Sequence, residues 1–193
     1  MNMNKRKIIL ASTSPRRRAL LTQTGLEFEA VAGGYVEDMT LPLQPEELAK
    51  HLSRGKAESV ADLYPDAVII AADTFIAFKG AVLGKPHTPE KAAEMLRALS
   101  GEVNTIFTGF TILDSLNKRC VSEVIEAKVY FKQLTEEGIA EYVATGEPLD
   151  KAGAYAIQGI GKKLIEKIEG DWEGAVGLPT QEIMKVLNTL HID

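Results

Sequence analysis

Hydrophobic positions along this chain follow two periods, alternating runs and one-sided stripes, in a strand-and-helix order. Ile8-Ile9-Leu10-Ala11 is a short apolar run bounded by a polar turn, and it predicts a buried strand. Ser14 suits an N-cap and Pro15 the first helical turn, so a helix should start there and stop at Gly25. Glu27 to Val31 alternates as a second strand, and Ala32 to Leu43, with Gly33, Gly34 and Pro42, reads as a loop. Pro45-Glu46-Glu47 opens the next helix, whose apolar stripe runs Leu48, Leu52, Val60 and Leu63. Lys56 stands at the missing step of that stripe, so the spacing puts it on the apolar face. Such a lysine either finds a buried partner or snorkels past the edge of the core.

Ala67 to Ala72 is apolar at every position and predicts a central strand covered on both faces, ending in Asp73-Thr74. Phe75 to Phe78 continues as strand, Lys79-Gly80 turns it, and Ala81 to Leu83 returns as a hairpin. After Gly84-Lys85-Pro86, Thr88-Pro89-Glu90 starts a helix with Ala92, Met95, Leu96 and Leu99 inward and Gly101 at its C-terminal end. Val103 to Leu113 and Val121 to Phe131 form a long predicted antiparallel hairpin. Thr135-Glu136-Glu137 opens a helix with Ile139, Ala140 and Val143 inward. Glu147 to Gly161 is irregular and glycine-rich, as a backbone approaching a ligand would be, or an ordinary structured loop. Leu164 to Ile168 reads as a strand, Glu169-Gly170-Asp171 as a turn, and Thr180 onward as a last helix with Ile183, Val186, Leu187 and Leu190 inward.

Composition narrows this α/β reading. A chain of 193 residues has room for one large domain or two small lobes. No apolar run approaches the ~20 residues of a membrane span, and Ile8 to Leu10 is too short for a signal-peptide core, so a cytoplasmic protein is expected. Cys120 is alone, which leaves no disulfide framework and no cysteine metal cluster. A net charge of −5 argues against a nucleic-acid polymer or an anionic membrane as partner, so clustered basic residues suit a small anion instead.

Such a cluster opens the first predicted helix. Arg16, Arg17 and Arg18 have the wrong sign for a helix N-terminus, where unpaired N–H groups already favour an anion. They make sense around a bound anion, or as a solvated basic turn. With Ser12, Ser14, Lys56, Lys85 and the strand-end Asp73 they form a set suited to polyphosphate, in which arginine grips bidentately and lysine acts as a point charge. A hard divalent cation on Asp73 and Glu37 would complete it. His51, His87 and His191 show no ligand spacing, which disfavours a histidine zinc site and a Ser-His-Asp triad. Neither a Walker A loop nor a dinucleotide fingerprint is present.

Five ordered motifs, Leu10-Ala11-Ser12-x-Ser14-Pro15-Arg16-Arg17, Ala72-Asp73-Thr74, Gly84-Lys85-Pro86, Gly146-Glu147-Pro148-x-Asp150-Lys151-Ala152-Gly153-x-Tyr155-x-Ile157-Gln158-Gly159 and Val176-Gly177-Leu178-Pro179, resemble the Maf family, also called septum formation proteins. The resemblance covers nearly the whole chain, read as a single domain over 1–193. It implies a two-lobed α/β fold, similar to inosine triphosphate pyrophosphatases, with an elongated mixed β-sheet, a central cleft, and often a homodimer. The activity it implies is a nucleoside triphosphate pyrophosphatase that uses Mg2+, or Mn2+ or Co2+, and releases a nucleoside monophosphate and pyrophosphate. By motif, Asp73 is similar to the general base, Ser12, Arg17, Lys56 and Lys85 to the phosphate-binding set, and Glu37 to a metal-associated carboxylate beside Asp73. Arg16, Thr74 and Gln158 resemble the base-specificity set of the dTTP/UTP branch. The same chemistry on 7-methyl-GTP or ITP, or a nucleotide-binding regulator of cell division, are the competing readings. Asn104 departs from the histidine that many members carry there.

Overall fold

The computed structural model describes residues 6–190. Its strands are β1 (Lys7–Ala11), β2 (Glu29–Val31), β3 (Ala67–Phe78), β4 (Ala81–Leu83), β5 (Val103–Asp114), β6 (Arg119–Phe131) and β7 (Ile165–Gly170). Its α-helices are α1 (Pro15–Gln23), α2 (Pro45–Ala61), α3 (Pro89–Leu99), α4 (Glu136–Ala144), α5 (Trp172–Val176) and α6 (Thr180–Thr189). Three short 3-10 turns, Glu147–Asp150, Ala152–Ala154 and Ile160–Leu164, fill the stretch before β7. The fold is mixed α/β: hydrogen-bonded neighbours follow the order β2-β1-β3-β5-β6-β7 in a seven-stranded sheet, with β4 on β3.

The chain divides into two compact units. The first comprises the described residues up to Thr74, then Thr108–Ile125, and those from Gly177 onward. The second comprises Phe75–Phe107 and Glu126–Val176, so β3, β5 and β6 each start in one unit and end in the other.

In the first unit β1 pairs in parallel with both β2 and β3. Parallel strands covered on both faces are apolar throughout, and the two-residue period sorts their side chains into two cores. Ile8, Leu10, Val68, Ile70 and Ala72 pack with Leu21 of α1 and with Leu178, Ile183 and Leu187 on one face. Ile9, Ala11, Ile69 and Ala71 pack on the other against Ala57 and Val60 of α2. Helix α2 lies so close to β5 that a Cβ at Gly109 would fall 2.0 Å from the Ala49 carbonyl oxygen. One turn further on, Ser53 Oγ and Thr111 Oγ1 share a buried 2.8 Å hydrogen bond.

In the second unit β3 and β4 form an antiparallel hairpin around Lys79 and Gly80, and β6 pairs antiparallel with β7. Thr88 caps α3 through the Lys91 amide and Thr135 caps α4 through the Gly138 amide, as their hydroxyls allow.

Several expectations need correction. Phe75 to Phe78 does continue the strand, but without a break: β3 runs for 12 residues, so Asp73-Thr74 lies inside it rather than at its end, because Phe75 and Ile76 are also buried and extend the apolar run. β2 begins at Glu29 rather than Glu27. Leu63 lies beyond the end of α2 and is 73% exposed, so the apolar stripe stops at Val60. In α4 Ala140 is exposed and Tyr142 takes the inner place, since a tyrosine can bury its ring and still pair its hydroxyl. Gly170 ends β7 rather than sitting in a turn, and α5 was not expected; the Asp171 carboxylate caps it through the Gly174 amide. Among the described residues no helix is long and apolar enough to cross a membrane.

Candidate functional site

The alternation that sorts the core also places the chemistry. Asp73 follows Ile69 and Ala71 onto the face covered by α2, while Thr74 follows Ile70 and Ala72 onto the face toward α1. Two polar groups therefore form in the first unit, one on each side of β3.

On the α2 side, Lys56 fills the step in the helical stripe between Leu52 and Val60, and its ammonium meets Asp73 at hydrogen-bond contact. The same Nζ pairs with Glu37 Oε1 at 2.6 Å. The Lys56 and Asp73 side chains are 16% and 6% exposed, and Glu37 is 46% exposed. Glu37 reaches this point because its loop lies flat on α2. A Cβ at Gly33 would fall 2.5 Å from Ser59 Oγ, and one at Gly55 would fall 2.2 Å from the Tyr35 ring. Burial raises the Tyr35 phenol above its usual value, and Asp73 and Glu37 add to the shift. Gly55 was the sequence signal for this packing: a glycine inside a helix marks a close approach.

On the α1 side, Ser14 caps the helix by accepting from the Arg17 amide at 3.5 Å. The Arg17 side chain turns inward, and Nε donates to the Gly177 carbonyl at 2.9 Å. Its two terminal nitrogens donate to Thr74 Oγ1 at 3.3 Å and to Ser12 Oγ at 3.5 Å. Thr74 Oγ1 lies 2.8 Å from Thr108 Oγ1. Burial pushes the Arg17 guanidinium down from its ordinary value, and Asp73 and Glu37 oppose that shift. An arginine nonetheless stays cationic at neutral pH. Arg16 and Arg18, by contrast, are exposed.

Lys85 and Gln158 belong to the second unit and are both exposed. There the backbone ties two motifs together: the Gly153 amide donates to the Gly84 carbonyl at 3.0 Å, and the His87 amide to the Leu149 carbonyl at 3.2 Å. The loop carrying Lys85 is thus fastened to the stretch that leads to Gln158. Asp150 is held below the usual carboxylate range, chiefly by the Lys151 ammonium.

The structure therefore brings together Asp73, Lys56 and Glu37 in one group, and Ser12, Arg17 and Thr74 in another. Sequence reasoning missed Tyr35, and it missed that Gly177 serves Arg17 through its carbonyl. Among the described residues no three His, Cys, Asp or Glu side chains gather into a metal-binding group, and His191 lies outside those residues.

The chain is thus an α/β protein with a buried carboxylate paired to a lysine on one side of β3 and, on the other, a half-buried arginine in the first turn of a capped helix. The chain belongs to the family of Maf-like proteins, whose model matches residues 7–190. A dTTP/UTP pyrophosphatase of Methanosarcina mazei is 47% identical over 97% of this chain and 95% of its own length. One of Thermoanaerobacter sp. is 46% identical over 94% of this chain and 95% of its own. Among solved structures, a HAM1 protein from Coxiella burnetii aligns at a TM-score of 0.48 and 14% identity over 97% of this chain and 100% of that one.

Proposed function

We propose that this protein hydrolyses dTTP and UTP to the nucleoside monophosphate and pyrophosphate. The observation that carries the proposal is the buried Asp73 carboxylate in contact with Lys56, in a chain whose relatives bear that activity in their names. In this reading Asp73 is the general base. It takes a proton from water as the water oxygen bonds to phosphorus, and pyrophosphate leaves with the bonding pair. Lys56, Arg17 and Ser12 hold the phosphate chain and offset the charge that builds up in the transition state. Before substrate arrives, Lys56 is paired with Asp73 and Glu37. An incoming phosphate competes for that ammonium and leaves Asp73 able to accept a proton. Lys85 is assigned to the phosphates, and Arg16, Thr74 and Gln158 to the base, on the family motifs.

The site also suits a divalent cation. Glu37 and Asp73 converge on one cationic nitrogen, so two carboxylates already face a common point of positive charge. Mg2+ takes one or two carboxylates and fills its remaining positions with water and substrate phosphates. Bound there, Mg2+, or Mn2+ or Co2+, supplies charge neutralisation. A carboxylate that ligates metal is a weaker base, which leaves Glu37 as the metal's principal protein ligand in this scheme. We further propose that residues 1–193 act as one functional domain in the cytoplasm, as a homodimer.

The test is pyrophosphate release with Mg2+ from UTP, dTTP, CTP, 7-methyl-GTP and ITP by the parent and by Asp73→Asn. UTP and dTTP should be preferred, and the variant should lose at least about a hundredfold in rate, the scale of a removed general base. An Asp73→Asn enzyme as active as the parent would remove Asp73 from the base role. Preference for 7-methyl-GTP or ITP would keep the reaction and reassign the base. No release from any of the five would favour a nucleotide-binding regulator.

A further inference from the structure

The loop that carries Gln158 is pinned on both sides of that residue by two groups the proposed mechanism does not use. Before it, the Ala156 amide donates to Tyr142 Oη at 3.3 Å. After it, the Ile160 amide donates to Glu147 Oε1 at 3.1 Å and the Gly161 amide to Glu147 Oε2 at 2.8 Å. Tyr142 Oη in turn donates to Glu147 Oε2 at 2.8 Å, so one connected pair of side chains holds both flanks. Tyr142 is 3% exposed. Between the pins, Gln158 and Gly159 are exposed. Gly159 has φ 90 and ψ −146, a conformation that belongs almost wholly to glycine, and a Cβ there would fall 2.5 Å from Glu147 Oε1.

An ionised carboxylate only accepts, so it can take three converging donors without placing a proton among them. Burial alone would raise the Glu147 carboxyl, but its hydrogen bonds from Tyr142, Gly161 and Ile160 outweigh burial and hold it below its usual value. Burial, and then Glu147, pushes the Tyr142 phenol up, so the phenol keeps its proton and donates.

This matters because a glutamine amide does not choose a base by itself. It can present donor and acceptor in either order by turning over, and uracil and cytosine differ by reversing that order. Selection requires that the amide meet the base one way round, and a fixed backbone contributes by setting where the side chain starts and how far it reaches. We propose that Glu147, with Tyr142, is a positioning residue for base selection: it fixes the loop from which Gln158 meets the pyrimidine, and so governs which base is accepted rather than how fast the anhydride is cleaved. The inference rests on the reading of Gln158 as a base-contacting residue.

The experiment compares kcat and KM for UTP and CTP, with Mg2+, in the parent, Gln158→Ala, Glu147→Gln and the double variant, with Tm recorded for each. Gln158→Ala is expected to lower the UTP-over-CTP preference in kcat/KM about tenfold, mainly through KM. Glu147→Gln is expected to lower it by a similar factor, and the double variant to be no less selective than Gln158→Ala alone, because residues acting through one another do not add. If Gln158→Ala lowers the preference and Glu147→Gln leaves it unchanged, the positioning role is overturned while the Gln158 reading stands. A Glu147→Gln effect equal on both substrates, and multiplying with Gln158→Ala, would likewise reduce Glu147 to a structural role. An unchanged preference in Gln158→Ala would refute the base reading, and the Glu147 inference with it. Should Glu147→Gln not fold, Tyr142→Phe removes one donor to Glu147 and the acceptor of Ala156, and is judged by the same outcomes.

Discussion

Lys56→Met should destabilise the protein more than the loss of either carboxylate it holds. At hydrogen-bond separation the Lys56–Asp73 attraction is about 5 kcal/mol at an effective dielectric of 20, most of it offset by the desolvation of two buried groups. What decides a substitution is therefore the charge left behind. Lys56→Met strands the Asp73 carboxylate, 6% exposed, with its cationic partner gone. Stranding a buried charge costs about 3–5 kcal/mol, and the nearby Arg17 moves the expectation to the low end, about 3 kcal/mol. Asp73→Asn leaves Lys56 paired with Glu37 at 2.6 Å and should cost about 1 kcal/mol. Glu37→Gln removes a partner that is 46% exposed and should cost under about 1 kcal/mol, as screened pairs do. The double variant Lys56→Met, Asp73→Asn removes the stranded charge, so it should be more stable than Lys56→Met alone. Urea unfolding at pH 7 without divalent metal or phosphate measures all four. If Lys56→Met costs no more than Glu37→Gln, or if the double variant equals the sum of the two single losses, the pair is not the buried, coupled one described here.

Gly109→Ala places a methyl group 2.0 Å from the Ala49 carbonyl oxygen, where only backbone can yield; a loss of about 3 kcal/mol is expected by urea unfolding, and a variant as stable as the parent would mean that α2 shifts at no cost. Asp114 accepts both terminal nitrogens of Arg6 at 2.7 and 2.8 Å, and this hydrogen-bonded guanidinium holds its carboxyl well below the usual range. Because the folded value is the depressed one, its stabilisation should be complete above the ordinary Asp value of about 4 and fade as pH falls toward the folded value. Asp114→Asn should thus cost about 2 kcal/mol at pH 7 and progressively less below pH 4, and a difference that stays constant down to pH 2 would contradict the assignment.

The sequence by itself determined the order of the main strands and helices, because the two-residue and 3.6-residue periods and the caps at Ser14, Thr88 and Thr135 are local properties. It also placed Lys56 on the apolar face of α2, since a charged residue at a stripe position is visible in spacing alone. Residue type and position singled out Asp73, Ser12, Arg17 and Lys85 as a polyphosphate set, and the family motifs added Gln158 and the separate roles. Only the tertiary structure decided what each one meets. That Lys56 pairs with Asp73, that Arg17 turns inward to Gly177 from 160 positions away, and that Glu147 pins the loop around Gln158 are contacts between residues far apart or on irregular backbone, where no period reports direction. The same cause accounts for the misreadings. Leu63 and Ala140 continue an apolar pattern, but a stripe is buried only where another element lies against it, and that is a property of packing rather than of composition.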